Sequence, residues 1–294
     1  RPVLAVLGLL LVGGHNLLTP IQFAPGETGY WLWTILHDRG FLLAPSEAAI
    51  AVKIGMDVTV LEASERLLQR VTGPEISAFF YNKHRDAGVD VRLGSTVSSF
   101  KTDGFGHVAG VTISDGCTVP ADIVLVSVGV TPETALAEAA GLACDGGILV
   151  DEHTRSNDPA ILAIGDCTRH RNLFFEQLQR VESVANAVEQ ARTAAATLMG
   201  EDNPYNCVPW FWSNQYDVRL QMVGLSQNHD QRVVRGNPID KGFSVFYIRK
   251  GRLIAVDAVN MPMAFMVGKQ LVYKAKSVNP KELGDLDIEL TSLV

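Results

Sequence analysis

The chain has 294 residues, room for two domains or three at roughly 100 to 200 residues each. Apolar residues make up 47% and charged residues 19%, which supports packed cores and excludes wholesale disorder. A net charge of -7 offers no attraction to a nucleic-acid backbone, so nucleic-acid binding is not expected.

The most apolar run, Pro2 to Gly14, falls short of the roughly 20 residues a membrane helix needs and reads as a buried strand; no membrane association is expected. No small-residue cleavage pattern follows it. The sequence starts at Arg1 without a methionine, which leaves a processed chain or a piece of a longer one open. From residue 47 helix and strand alternate, the pattern of a parallel sheet with crossover helices. Glu47 to Ile54 is a predicted helix ended by Gly55, and Asp57 to Glu62 a β-branched strand. Thr72 to Ala87 is a second helix with Pro74 in its first turn and Gly88 past its end; Val89 to Leu93 is a strand. Thr96 to Thr102 and Val108 to Ile113 read as an antiparallel hairpin. Ala121 to Val128 is nearly all apolar, as a strand buried on both faces would be. A short helix follows at Thr134 to Ala140, then strands at Ile148 to Asp151 and Ile161 to Ile164, the latter running into Gly165-Asp166. Val181 to Met199 is an alanine-rich helix with Gly200 as its cap. From Cys207 the chain turns to aromatic-rich strands, Trp210 to Ser213, Val218 to Val223, Arg232 to Arg235, Phe243 to Ile248 and Leu253 to Asn260, closed by a helix at Phe265 to Tyr273. Lys250-Gly251 fits the turn between the last two strands. This last segment carries 11 Lys plus Arg against 8 Asp plus Glu, a balance of +3, and reads as a separate α+β domain.

Cys117, Cys144, Cys167 and Cys207 lie 27, 23 and 40 residues apart, without the close pairs that zinc or a redox dithiol needs, and the seven histidines are scattered. Reduced cysteines in a cytoplasmic protein and no metal site are expected. Glu62, ending the second strand of a dinucleotide-binding unit, can accept hydrogen bonds from both adenosine ribose hydroxyls and would repel a 2'-phosphate. The G-x-G-x-x-G turn that should precede the Glu47 helix is poorly represented: laid on Arg39 to Ser46, its glycine positions become Gly40, Leu42 and Pro45. A buried strand ending in Gly165-Asp166 would present a carboxylate to sugar-like hydroxyls, such as a flavin's ribityl chain, and the following long helix would direct its N-terminal N–H groups at the flavin ring.

These segments carry a resemblance. KIGMDVTVLEASERLLQRV, SVGVTPETALAEAAGLACDGGILVDEHTRSNDPAILAIGDC, VESVANAVEQARTAAATLMG, VPWFWSNQYDVRLQMVGLS and FSVFYIRKGRLIAVDAVN make residues 47 to about 275 similar to the C-terminal three-fifths of FAD-dependent ferredoxin reductases serving aromatic-ring dioxygenases and cytochrome P450 systems, within the pyridine nucleotide-disulfide oxidoreductase superfamily. The resemblance implies an α/β fold: an atypical segment 1–46, a Rossmann-like NAD-binding domain at 47–128, the C-terminal half of an FAD-binding domain at 129–206 and a reductase α+β domain at 207–294. It implies FAD and NADH as cofactors, a ferredoxin or similar iron-sulfur protein as partner, and electron transfer from NADH through FAD to that protein. It matches Glu47 to the glutamate reaching the nicotinamide carboxamide, Glu62 to the ribose-binding acid and Gly129 to the glycine ending the nucleotide domain. Asp166, after Gly165, matches the aspartate on the ribityl chain, Val184 the helix start near the flavin pyrimidine edge, and Trp212 the aromatic residue flanking the isoalloxazine ring.

The chain also departs from that pattern. Ala185 stands where a histidine is common, the nucleotide glycines are mostly lost, and residues 1 to 46 do not resemble the N-terminal FAD half. Without a close cysteine pair, the disulfide-reducing branch fits poorly. The basic C-terminal segment, with Arg249, Lys250 and Arg252, would suit an acidic ferredoxin. The alternative is a truncated, non-catalytic fragment that keeps partner-binding or structural capacity.

Overall fold

The computed structural model describes residues 3–9, 44–128, 131–172, 174–175, 177–240 and 242–294, with only the backbone of 3–9, 44–47 and 128. In chain order the first half contains β1 (Val3–Leu9), α1 (Ala44–Lys53), β2 (Asp57–Glu62), α2 (Pro74–Asp86), β3 (Asp90–Arg92), β4 (Val97–Thr102), β5 (Val108–Ile113), β6 (Thr118–Pro120) and β7 (Ile123–Val128). Four of these strands form a parallel sheet in the order β3-β2-β1-β7. The apolar run read as a strand is β1, placed between β2 and β7, a position that suits an uninterrupted apolar stretch. β4, β5 and β6 form a separate antiparallel sheet whose third strand the sequence pattern did not reveal. β7 departs from the reading of a strand covered on both faces. Ile123 packs into the main core and Val124 against a small cluster around Val111 and Ile113, but Val126 is 42% exposed. Among the described strands β7 ends the sheet, and an apolar run alone does not specify which positions are covered.

α1 starts at Ala44 rather than Glu47, so Pro45 lies in a helical first turn, where a missing N–H costs nothing. α2 has Pro74 in its first turn and Gly88 at a φ of +86° just past its end, as the sequence implies.

The segment from 131 to 209 forms a compact unit of its own. It contains α3 (Ala135–Ala139), β8 (Ile148–Val150), β9 (Thr168–Asn172), β10 (Gln177–Gln179) and α4 (Val184–Met199). β8 and β9 run parallel, and β10 returns antiparallel beside β9. The expected strand at Ile161 to Ile164 is absent. Leu162 makes a single bridge to Arg155, Ile161 and Ile164 are 37% and 40% exposed, and Gly165-Asp166 form a turn leading into β9. The apolar run there is surface rather than sheet interior. α4 starts three residues later than expected because Ser183 caps it, its Oγ accepting the Asn186 N–H at 3.0 Å, and Gly200 closes it in the left-handed region.

The remaining elements are β11 (Trp210–Gln215), β12 (Val218–Gly224), β13 (Gln231–Gly236), β14 (Phe243–Arg249), β15 (Arg252–Val259), α5 (Pro262–Tyr273), α6 (Pro280–Gly284) and a terminal 3-10 turn, Leu290–Leu293. The five strands make one antiparallel sheet in the order β11-β12-β15-β14-β13, with Lys250 and Gly251 both at positive φ in the β14–β15 turn. The sequence reading did not include α6 or the terminal turn. Residues 43–128 and 210–294 belong to one compact unit with β1. Their shared core joins Ala48, Val60, Ile76 and Phe80 to Leu220, Phe243 and Tyr247. α2 presents Ile76, Ser77, Phe80 and His84 on one buried stripe, and Phe79 meets Phe243 edge-on at 5.5 Å. Among the described residues no helix is long and apolar enough to cross a membrane.

Candidate functional site

The 131–209 unit brings together four of the residues singled out from sequence: Gly165, Asp166, Val184 and Ala185. Gly165 adopts φ +82°, which an L side chain resists, and so reverses the chain immediately before Asp166. Asp166 is half-buried, and its carboxylate accepts the Ser183 N–H at the head of α4. Burial raises its pKa, opposed by the Arg180 charge and that N–H bond. Arg180 pairs with Glu182, which moderates its pull. Val184 and Ala185 occupy the first two helical positions, ahead of the capped Asn186 N–H, and Val184 is 41% exposed. The result is a desolvated acceptor beside a helix N-terminus with an apolar residue at its mouth. That set of groups suits a ligand with hydroxyl donors and an electron-rich ring edge.

A buried polar network lies behind the turn. The Gly165 N–H donates to Gln190 Oε1 at 2.7 Å, and the Thr168 hydroxyl lies 2.8 Å from Gly165 O and 3.1 Å from the same Gln190 oxygen. Asn186 Nδ2 approaches that oxygen at 3.4 Å, while Tyr205 donates to Asn186 Oδ1 at 2.9 Å. Gln190 Nε2 lies 3.2 Å from His170 Nδ1. The Gly165 N–H can only donate, which fixes the amide with its oxygen toward the turn and makes His170 Nδ1 the acceptor of the amide N–H. Burial pushes the His170 pKa down to about 4, so the ring is neutral near pH 7.

In the other unit, Glu62 ends β2 and uses Oε1 to accept the Ser64 N–H at 2.8 Å. Its second oxygen can still accept from a ribose hydroxyl. Arg66, the nearest cation in the following turn, spends its guanidinium on Thr72 O, Ser77 Oγ and Gln69 O and is not available to a 2'-phosphate. Trp212 lies on β11, paired with Gln221 and half-buried, its ring 5.3 Å from Trp210. Lys269 sits over the Trp210 ring at 5.4 Å. Glu47 lies in α1, its side chain outside the described atoms; Gly129, Gly40 and Leu42 lie outside the described residues.

Residues 43–191 match the pyridine nucleotide-disulphide oxidoreductase family, and residues 210–294 match the reductase C-terminal domain. The chain belongs to the pyridine nucleotide-disulphide oxidoreductase family. Within it, the chain is 47% identical over 247 residues to a 5,5'-dehydrodivanillate O-demethylase ferredoxin reductase subunit of Sphingobium sp., covering 84% of this chain and 60% of that protein. It is 44% identical over 249 residues to putidaredoxin reductase of Pseudomonas putida, covering 84% and 59%. A crystal structure of a covalent putidaredoxin reductase–putidaredoxin complex aligns over 99% of this chain and 63% of that one, with a TM-score of 0.86 at 38% identity. The chain thus spans about three fifths of the length of these relatives.

This family member also has two buried clusters that sequence reading did not find. The Tyr247 hydroxyl donates to Asp257 Oδ2 at 2.6 Å and accepts the Gly73 N–H, at the head of α2, at 2.8 Å. His84, fully buried on α2, contacts the Tyr216 hydroxyl through Nδ1 at 2.8 Å and Gln215 Oε1 through Nε2 at 3.1 Å. The Gln190 network did leave a trace: Asn186 and Gln190 are amides four residues apart in a helix otherwise rich in alanine.

Proposed function

We propose that the chain works as an FAD-dependent NADH:ferredoxin oxidoreductase, passing electrons from NADH through FAD to an iron-sulfur protein. The observation that carries this reading is the Asp166 carboxylate held beside the α4 N-terminus by a Ser183 N–H bond. FAD, when bound, supplies conversion between two-electron transfer with NADH and one-electron transfer to the partner. Asp166 accepts hydrogen bonds from ribityl hydroxyls, Gly165 permits the reversal that exposes it, and the Val184 and Ala185 N–H groups face the electron-rich edge of the ring. On this reading Glu62 accepts from the adenosine ribose of NADH, and the family resemblance alone assigns Trp212 to the flavin ring and Glu47 and Gly129 to the nucleotide. On this reading residues 47–128 are the NAD domain, 129–206 the FAD portion and 207–294 the reductase domain.

The exposed cations Arg249, Lys250 and Arg252 around the β14–β15 turn suit an acidic iron-sulfur partner. Relatives bearing ferredoxin reductase and putidaredoxin reductase names support the assignment. A cytoplasmic location follows from the use of NADH. The test is purification with added FAD, followed by measurement of bound flavin absorbance and of NADH-dependent reduction of a ferredoxin. A colourless protein inactive with NADH would refute the proposal.

A further inference from the structure

We propose that Gln190 is a positioning residue for the flavin site, its side-chain oxygen tying the Gly165-Asp166 turn to α4 so that Asp166 and the helix N-terminus face one ligand together. The inference rests on the reductase reading above. It comes from three features of the network.

The first is the bond beneath the turn. Asp166 reaches the head of α4 through the Ser183 N–H, and the turn that carries Asp166 is anchored from below by the Gly165 N–H to Gln190 Oε1 bond at 2.7 Å. Gln190 is six residues into α4 and 1% exposed, so it does not itself reach a ligand at the helix mouth. The second is the geometry at Gly165. A Cβ there would lie 3.7 Å from the Ala187 side chain, an ordinary contact, so α4 does not wedge tightly against the turn at this point and the hydrogen bond to Gln190 is its directional tie to the helix. The third is the hold on the Gln190 amide. His170 takes its N–H, and Asn186, itself held by Tyr205, approaches its oxygen. The His170 ring packs edge-on against Tyr205 at 4.8 Å, which closes the network on itself. A side chain held at both ends of its amide has little rotamer freedom left to lose when it orders the turn.

The experiment compares Gln190→Met, which can neither accept nor donate strongly, and Gln190→Glu, which keeps an acceptor for the Gly165 N–H. Each is made alone and with Asp166→Asn, and the FAD dissociation constant is measured by fluorescence titration of the full 294-residue chain. Denaturant unfolding of the apo forms follows stability separately. Leaving the Gly165 N–H unsatisfied is expected to weaken FAD binding roughly tenfold in Gln190→Met, whereas Gln190→Glu stays within about threefold of wild type. In the Asp166→Asn background Gln190→Met should change affinity by less than about twofold, because the carboxylate it positions is gone. Hydrogen exchange at the Gly165 amide should accelerate in Gln190→Met relative to the helix interior.

Equal weakening by Gln190→Met in both backgrounds would overturn the positioning role, as would equal loss in the Met and Glu variants in step with apo stability. If Gln190→Met does not fold, the Glu variant decides: a tenfold loss of FAD affinity in that folded protein overturns the role, and near-wild-type affinity supports it. A wild-type chain that binds no FAD overturns the reductase reading, and the positioning role with it.

Discussion

Replacing Asp257 with asparagine is expected to stabilise the chain, by an amount that grows with pH. Asp257 is 2% exposed on β15, and burial is the main cause lifting its pKa to about 7, with the Glu75 charge adding and the Tyr247 and Gly73 hydrogen bonds opposing. In the unfolded chain a carboxyl titrates near about 3.9. Between those values the folded protein holds a proton that the unfolded one has lost, so this group's contribution declines as pH rises from about 4 to about 7 and is constant above. Three pH units at about 1.4 kcal/mol each amount to about 4 kcal/mol. Asparagine keeps a neutral acceptor of the same shape for the Tyr247 hydroxyl, so the variant should match wild type near pH 4 and exceed it by up to about 4 kcal/mol at pH 8. Guanidinium unfolding of both proteins from pH 4.5 to 8 measures the difference. His84 and His170, with pKa values lowered to about 4, bend the whole profile the other way, but they cancel in the comparison. A difference independent of pH, or a variant less stable than wild type at pH 8, would refute the reasoning.

Other substitutions test separate parts of the structure. His84 is neutral when folded, and burial is the main cause lowering its pKa to about 4, so its share of stability is present above about pH 6.5 and drains away as pH falls toward 4. His84→Gln should flatten that decline by about 3 kcal/mol in unfolding curves at pH 7.5 and 4.5. Gly224 adopts φ +76°, and a Cβ there would lie 2.0 Å from Ile254 O, so Gly224→Ala should lose about 3 kcal/mol or more of stability in denaturant, and a loss below 1 kcal/mol would contradict the close strand contact. On the reductase reading, Glu62→Ala should raise the NADH KM roughly tenfold and narrow the preference over NADPH, read from initial rates with both nucleotides.

The sequence revealed what depends on short-range pattern. α2 with its proline start, α4 with its glycine end and the five C-terminal strands follow from periodicity and from turn residues close to each element. Asp166 and Val184 were legible as a pair because the turn and the helix start are only 18 positions apart, in neighbouring segments of recognisable text. The clusters that fix these elements were not legible. Tyr247 reaches Gly73 across 174 positions, and His84 reaches Gln215 across 131. A buried tyrosine or histidine looks the same in sequence whether its polar atom is satisfied or not. The reading of Ile161 to Ile164 failed for a related reason: apolar character alone does not say whether a run is buried in a sheet or lies on a surface.

The missing glycines carry a different lesson. Searching for G-x-G-x-x-G just before the Glu47 helix assumes that the first strand of the nucleotide unit ends there, and that assumption placed the motif on Arg39 to Ser46. The structure instead places the first strand at Val3–Leu9, with Gly8 in register with Glu62 on β2. The two strands therefore end at the same edge of the parallel sheet, the edge where open α/β sheets bind their ligands. Glu62 owes its place at that edge to strand pairing and to the Ser64 N–H, not to the residues that precede α1. With the first strand ending at Leu9, the absence of the glycine pattern from residues 39–46 says nothing of a pyrophosphate turn after β1, and Glu62 stands at the edge where, on the reductase reading, a dinucleotide would meet it. On the reductase reading, Glu62 at that edge predicts that NADH is preferred over NADPH, read from initial rates with both nucleotides.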